Sequence, residues 1–487
     1  MAANVNMRAV VEAESFMDIS TQNLVDLTLN ASYDTLDGAA VHECKRRFID
    51  TLGCAIGAFD DGLCVAIREM ARQYRGPQRS TLWGTSSYSS AEMAAFCNGV
   101  MLRVQDFNDT YFASDGAHPS DILAAIFPVA EAIHADGRSL ILATATGYEV
   151  FCRFMQSVDV GARNFDQTIY VVVASVLAVG QLMRLPRDRL GHAVALALTP
   201  HLPLRQTRKG QLSHWKGCAA ADAARNAVFA ANLAAQGVTG PSDIFEGKQG
   251  LWSVLGRFDW VSQPDWPAMR MVGATYIKNL PVCYHAQAAA QTAIQLHPEL
   301  LGRKVDSIEV TAYDEAVRMI GSDRSRWAPR SRETADHSLP FIVATCLTFG
   351  TVGAHSFDDE QLDSPELVNL MNRTRVDASP ALTSMYPGAA PARVVVHTDD
   401  GNRLVGEVHF PKGHSSDPMS DSDVERKFRN LCSANGNDKQ IDRALSTLWD
   451  IDKCGNIGTI LPQLREMYEQ SQPIPGRNMH VQPSQSR

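Results

Sequence analysis

Up to about residue 270, apolar and small residues recur three and four positions apart, the spacing that turns one face of an α-helix toward a core. VHECKRRFIDTLGCAIGAF (Val41–Phe59), AEMAAFCNGVMLRV (Ala91–Val104), DILAAIFPVAEAIHA (Asp121–Ala135), RSLILATATGYEVFCRFM, RLGHAVALALT and CAAADAARNAVFAANLAAQG all carry it. Ala and Gly fill many inner positions. Small residues let helices approach closely, so a compact bundle of many helices is predicted. The longest apolar run, YVVVASVLAVGQLM (Tyr170–Met183), is shorter than the about 20 residues a membrane span needs and reads as a buried helix.

Near Thr275 the pattern changes. KVDSIEVTAYDEA (Lys304–Ala316) and ARVVVHTDDGNRLVGEVHFPKG (Ala392–Gly413) alternate like half-buried strands, and the second holds an Asp-Gly hairpin signal. ADHSLPFIVATCLTFG and SPELVNLMNRTRV between them are helix-like, and helical spacing returns after Pro411. The sequence therefore predicts a mainly α protein. Helix fills 1–274, with 1–20 as a flexible leader; an α+β domain spans 275–411; helix resumes over 412–471; and a Pro-, Ser- and Gln-rich tail, 472–487, is disordered.

A chain of 487 residues is too large for one core, which agrees with two domains. Its net charge of -9 offers no broad attraction for nucleic acid or anionic lipid, so any basic pocket must be local. The ten cysteines include no CxxC pair, which argues against a zinc or iron–sulfur site. Cys44, Cys54, Cys64 and Cys97 fall in helix-like runs and read as buried thiols of a reducing compartment. The N-terminal stretch lacks an apolar signal core, so a cytoplasmic location is expected. Neither GxGxxG nor GxxxxGK(S/T) occurs, so no nucleotide loop is expected.

The run DFNDTYFASDGAHPSD (Asp106–Asp121) sets acids, a Thr, a Tyr and a His between two apolar helices. Acids near a core must find partners, and such clusters mark sites that move protons. Pro119 keeps His118 out of the helical region and holds it at a helix N-terminus, where anions bind well. Asp115, Ser120 and Asp121 also read as helix caps, whereas Asp106 and His118 read as functional.

Three more segments place polar groups where core residues would otherwise serve. RQTRKGQLSHWKG carries Arg205, Arg208, Lys209, His214 and Lys216 ahead of a small-residue helix. Lys216 is expected to face a pocket lined by N-terminal amides and hold a carboxylate, while Arg208 and Lys209 read as a solvated basic loop. In TYIKNLPVCYHAQAAAQTA, Lys278 and His285 flank Pro281 at the predicted domain boundary and face the cleft, with a solvated Lys and a core His as the alternative. In RSRETADHSLPFIVATC, Asp336 and His337 open an apolar helix, His337 as cleft residue or cap.

DTLGCAIGAF, DFNDTY with HPSD, SHWKGCAAADAARNAVFAA, IKNLPVCYHAQ, ETADHSLPFIVA and DPMSD, in order from about Cys44 to Cys432, together resemble the MmgE/PrpD family. That family includes 2-methylcitrate dehydratases, cis-aconitate decarboxylases and an iminodisuccinate epimerase. The resemblance implies a large all-helical domain built from both chain ends, a smaller inserted α+β lid, a homodimer, and an active site between the two domains that needs no metal or organic cofactor. Site residues carried over are Asp106, Thr110, His118, Lys216, Lys278 and His285.

Each family reaction makes or consumes a carbanion beside a carboxylate, which calls for a base, cations for the spectator carboxylates, and donors for the developing charge. The resemblance implies that His118, positioned by Asp106, carries the proton, that Lys216, Lys278 and His285 bind carboxylates, and that Thr110 adds a hydrogen bond. Tyr111 or His337 is the candidate acid for a departing hydroxyl. Many members carry a His where Gln167 stands here, and an amide does not exchange a proton near neutral pH. The expected function is a carbon–oxygen lyase acting on 2-methylcitrate or a close di- or tricarboxylate, in propionate degradation or a related pathway. Decarboxylation of cis-aconitate, epimerisation of an amino- or imino-dicarboxylate, and a binding protein that has lost chemistry are the alternatives.

Overall fold

The computed structural model describes residues 16–74, 76, 79–113, 116–260 and 268–469. The predicted tail and most of the predicted leader lie outside these residues, as does Asp115.

The protein is mainly α, as the helical spacing predicts. One hydrophobic core runs from Met17 to Ile277 and then takes up Met419 to Leu464. Its centre is the helix Trp215–Ala235, packed against Ala91–Arg103, Thr168–Leu182 and Arg187–Leu198. Small residues set that closeness. A Cβ on Gly99 would sit 2.8 Å from the Ala221 Cβ and 3.1 Å from that of Ala124. From the C-terminal part, the helix Asp421–Cys432 returns onto Gly38–Gly57, with Phe428 and Leu431 lying over Gly53 and Gly57. The apolar run at Tyr170 is a buried helix, and among the described residues no helix is long and apolar enough to cross a membrane. All ten cysteines are free thiols, and the four early ones are buried.

A second core gathers Tyr276 to Val396 around a four-stranded sheet and the helices Gln287–Leu300 and Leu339–Phe349. The strands lie in the order Thr374–Ala378, Val305–Ala312, Ala392–Thr398, Arg403–Val408; the first pair is parallel and the others antiparallel. The helix-like run SPELVNLMNRTRV is only half helix. Helix Pro365–Asn372 ends there and strand Thr374–Ala378 follows at once, because pairing with Val305–Ala312 satisfies its backbone.

The larger body is not wholly helical. Two-residue strands pair Ser80–Thr81 with Tyr88–Ser89 and Tyr111–Phe112 with Gly116–Ala117. The second pair folds the acidic loop back on itself beneath the Phe112 ring, where a Cβ on Gly116 would lie 2.3 Å from that ring. Phe112 belongs to the second core and Tyr111 to the first, so this loop joins the two.

Candidate active site

The helix Ala91–Arg103 ends just before Asp106, which takes a left-handed conformation with φ 50°. Asp tolerates that geometry better than most residues, and it turns the carboxylate inward, where it is 1% exposed. Arg103 Nη1 pairs with Oδ1. Lys278 Nζ lies 3.1 Å from Oδ1 and donates to the Asp106 carbonyl at 2.7 Å. Lys216 Nζ stands 4.0 Å from Oδ2, which accepts no hydrogen bond among the described residues. Burial works to raise the Asp106 pKa, but Arg103, Lys216 and Lys278 outweigh it and hold the carboxyl well below its usual range.

Lys216 occupies the first turn of its helix as expected, yet the carboxylate it holds belongs to the protein. Asp336 accepts from its Nζ at 2.9 and 2.8 Å, so the lysine is part of a buried network and not a free anion hook. The same Asp336 accepts from His337 Nδ1 at 2.5 Å. Ser338, not His337, caps the following helix, and His337 faces the cavity with Nε2 3.8 Å from Asp106 Oδ2.

His118 lies on the other side of Asp106, its Nε2 3.7 Å from Oδ1. Asp106 does not orient the ring. Nδ1–H donates to the Asp109 carbonyl at 2.7 Å, and since a carbonyl only accepts, Nε2 bears the lone pair of the neutral ring. Asp109 is itself locked: Oδ2 accepts from Tyr148 at 2.9 Å and Oδ1 from the Ser120 amide at 2.9 Å. Burial, then Arg103 and Lys278, keep the His118 pKa well below the usual histidine value, so it is an uncharged base at neutral pH. Ser120 and Asp121 are not helix caps; both accept from the Asn108 amide at 2.9 Å.

His285 approaches from the second core and stacks on Phe112 with centroids 4.8 Å apart. Its Nδ1 meets the Tyr313 hydroxyl at 2.6 Å. That phenol is buried and has no other hydrogen-bond partner among the described residues, so its O–H donates to Nδ1 and leaves the proton of the neutral ring on Nε2. Burial and the nearby His337 push the His285 pKa down to about 3.

Asp106, Thr110, His118, Gln167, His285 and His337 thus line one cavity between the two cores, with Lys216 and Lys278 tied to Asp106 behind it. Thr110 donates to the Ala117 carbonyl at 2.9 Å and pairs with Tyr276 across the joint. Tyr111 is not part of this group. Strand alternation turns it away from Phe112, and its hydroxyl accepts from Gln156 at 2.6 Å. Arg208 is not a solvated loop residue, because it grips buried Asp166 through two nitrogens at 2.8 and 3.1 Å; Lys209 and His214 are exposed. Sequence reasoning missed Arg103, Asp109, Tyr313 and Arg326. Only Arg103 carried a signal, as a basic residue in an apolar helix three positions before Asp106.

Four arginines and two acids line the cavity, so its field favours an anion. Asp106, Cys283 and His337 do offer ligand atoms within 4.8 Å of one another. A metal fits them poorly, since three cations already engage Asp106 and burial pushes the Cys283 thiol up to about 11.

Residues 22–261 match the MmgE/PrpD N-terminal domain and residues 280–451 the MmgE/PrpD C-terminal domain. The chain belongs to the MmgE/PrpD family. Among relatives of this MmgE/PrpD protein, a 2-methylcitrate dehydratase of Cupriavidus necator is 29% identical over 81% of this chain and 86% of its own length. A 2-methylcitrate dehydratase of Salmonella typhimurium is 26% identical over 80% and 83%. An alkylcitrate dehydratase of a fungal species is 24% identical over 89% and 95%. Lys278 lies in the stretch 262–279 between the two matches, and His285 falls just inside the second.

Proposed function

We propose that this MmgE/PrpD protein is a carbon–oxygen lyase that dehydrates 2-methylcitrate or a close hydroxy-tricarboxylate. The observation that carries the reading is a pair of hydrogen bonds at one anion-favouring cavity, His118 Nδ1 to the Asp109 carbonyl and His285 Nδ1 to the Tyr313 hydroxyl, from which a lone pair on His118 Nε2 and a proton on His285 Nε2 follow. His118 removes the proton from the carbon beside a carboxylate. The C–H electrons move into that carboxylate as an enediolate, and Arg103, the cation beside Asp106 that lines the cavity, stabilises it. The new imidazolium gains from the Asp106 carboxylate 3.7 Å away. Collapse of the enediolate forms the C=C bond and expels the neighbouring hydroxyl, which takes the Nε2 proton of His285 while the Tyr313 proton shifts to Nδ1; water leaves, and the proton held by His118 returns through solvent to Tyr313, whose burial opposes a lasting phenolate.

The dehydratase names of the relatives support this assignment over decarboxylation or epimerisation. Incubation with 2-methylcitrate is expected to raise alkene absorbance and release no carbon dioxide; a flat trace with no solvent deuterium entering the substrate rejects the reading. A place in propionate degradation and in the cytoplasm is proposed with it. A homodimer is also proposed. Trp215 and Phe229, 47% and 48% exposed and about four turns apart on one helix face, supply apolar surface for it. Sedimentation at twice the chain mass is the expected result.

A further inference from the structure

Arg326 sits on the single turn Arg324–Trp327, on the second-core side of the cavity that it lines. It is 3% exposed, yet its Nε and Nη1 have no hydrogen-bond partner among the described residues. Several other buried arginines pair with acids: Arg103 with Asp106, Arg46 with Asp421, and Arg47 with Glu43 and Asp109. Arg326 makes no such pair, and Asp323 and Asp336 act on it only as more distant charges. An unpaired buried guanidinium is costly, and its planar fork suits a carboxylate. The position is also informative. The proton-moving groups His118 and Asp106 come from the loop after helix Ala91–Arg103, whereas Arg326 enters from the second core, like His285.

We propose that Arg326 is a specificity residue that receives the substrate carboxylate farthest from His118, and so selects tricarboxylates over dicarboxylates. This rests on the carboxylate reading of the site and deepens it. The guanidinium donates to two carboxylate oxygens along one edge, through Nη2–H together with the unmatched Nε–H or Nη1–H, and ligand binding supplies the counter-charge the fold withholds.

The test is calorimetric binding of propane-1,2,3-tricarboxylate, which has no hydroxyl to lose, and of glutarate, to the full-length wild type, Arg326→Met and Arg326→Lys. Arg326→Met is expected to weaken the tricarboxylate by about thirtyfold or more and glutarate by under about threefold. Its ligand-free Tm should be unchanged or higher, because an unmatched charge has been replaced by an apolar chain of similar length. Arg326→Lys retains the charge without the fork and should lose about tenfold; it decides the matter if the Met variant does not fold. Unchanged tricarboxylate affinity, an equal loss for both acids, or no binding of either acid by the wild type overturns the assignment. Wild type that binds the tricarboxylate selectively through Arg326 but leaves 2-methylcitrate untouched rejects the dehydratase reading alone.

Discussion

His118 and His285 differ in which nitrogen holds the proton, and the difference separates their predicted failures. His118→Asn is expected to abolish both solvent deuterium exchange into 2-methylcitrate and dehydration, by about 100-fold or more, because no base is left. Tyr313→Phe should lower dehydration by about tenfold or more while exchange persists, since it removes the proton behind the acid and leaves the base intact. Proton NMR in deuterium oxide reads both at once, and parallel loss of exchange in Tyr313→Phe contradicts the division of labour. Because burial and two cations lower the His118 pKa, the acid limb of kcat/KM should fall well below pH 6.5. Asp106, His118, Lys216, Lys278 and His285 were legible as polar residues inside apolar runs. Their partners were not. Nothing near His118 in the sequence says that a main-chain carbonyl, that of Asp109, fixes its tautomer, and the two-residue strand that turns Tyr111 away forms only because Gly116 folds back against Phe112.

At the level of elements, the helix Asp421–Cys432 supports the site without touching the cavity. Lys427 Nζ pairs with Asp50 at 2.6 Å and donates to the carbonyls of Phe107 and Lys278, each at 2.8 Å, holding together the two segments that carry Asp106 and Lys278. Lys427→Met leaves the buried Asp50 uncompensated and should destabilise the fold by about 3–5 kcal/mol, read as a lower denaturation midpoint. Gly99→Val should cost about 1–3 kcal/mol, since even a Cβ there meets Ala221 at 2.8 Å. The helices were readable because each follows a 3.6-residue period over many turns. The strand Thr374–Ala378 escaped notice because it follows a helix without a turn signal and owes its form to a parallel neighbour more than sixty residues away.

At the scale of the molecule, two cores close on a cavity that holds uncharged histidines. His285 and His337, with pKa values pushed down to about 3 and about 4, stay neutral in the folded state while the unfolded chain protonates them near pH 6.5. Below that value the unfolded state binds more protons, so stability falls as pH drops from about 6.5 to 4. The slope approaches about 1.4 kcal/mol per pH unit for each such histidine, which amounts to roughly 3 kcal/mol apiece across that range. Chemical denaturation at pH 7 and pH 5 checks this; His285→Gln should flatten the dependence, and an unchanged slope speaks against a neutral buried ring. A bound tricarboxylate touching both cores should raise Tm with concentration, as any ligand of the native state does.

Periodicity and residue type by themselves determined that the protein is mainly helical, where strands begin to alternate, and which ionisable residues stand in apolar surroundings, because these are local properties of burial and spacing. Tertiary structure alone decided that Lys216 pairs with Asp336, that Asp109 and Tyr313 set the proton positions on two histidines, and that two nitrogens of Arg326 find no hydrogen-bond partner among the described residues. Charge and tautomer depend on which groups meet across long stretches of chain, and no spacing rule carries that information.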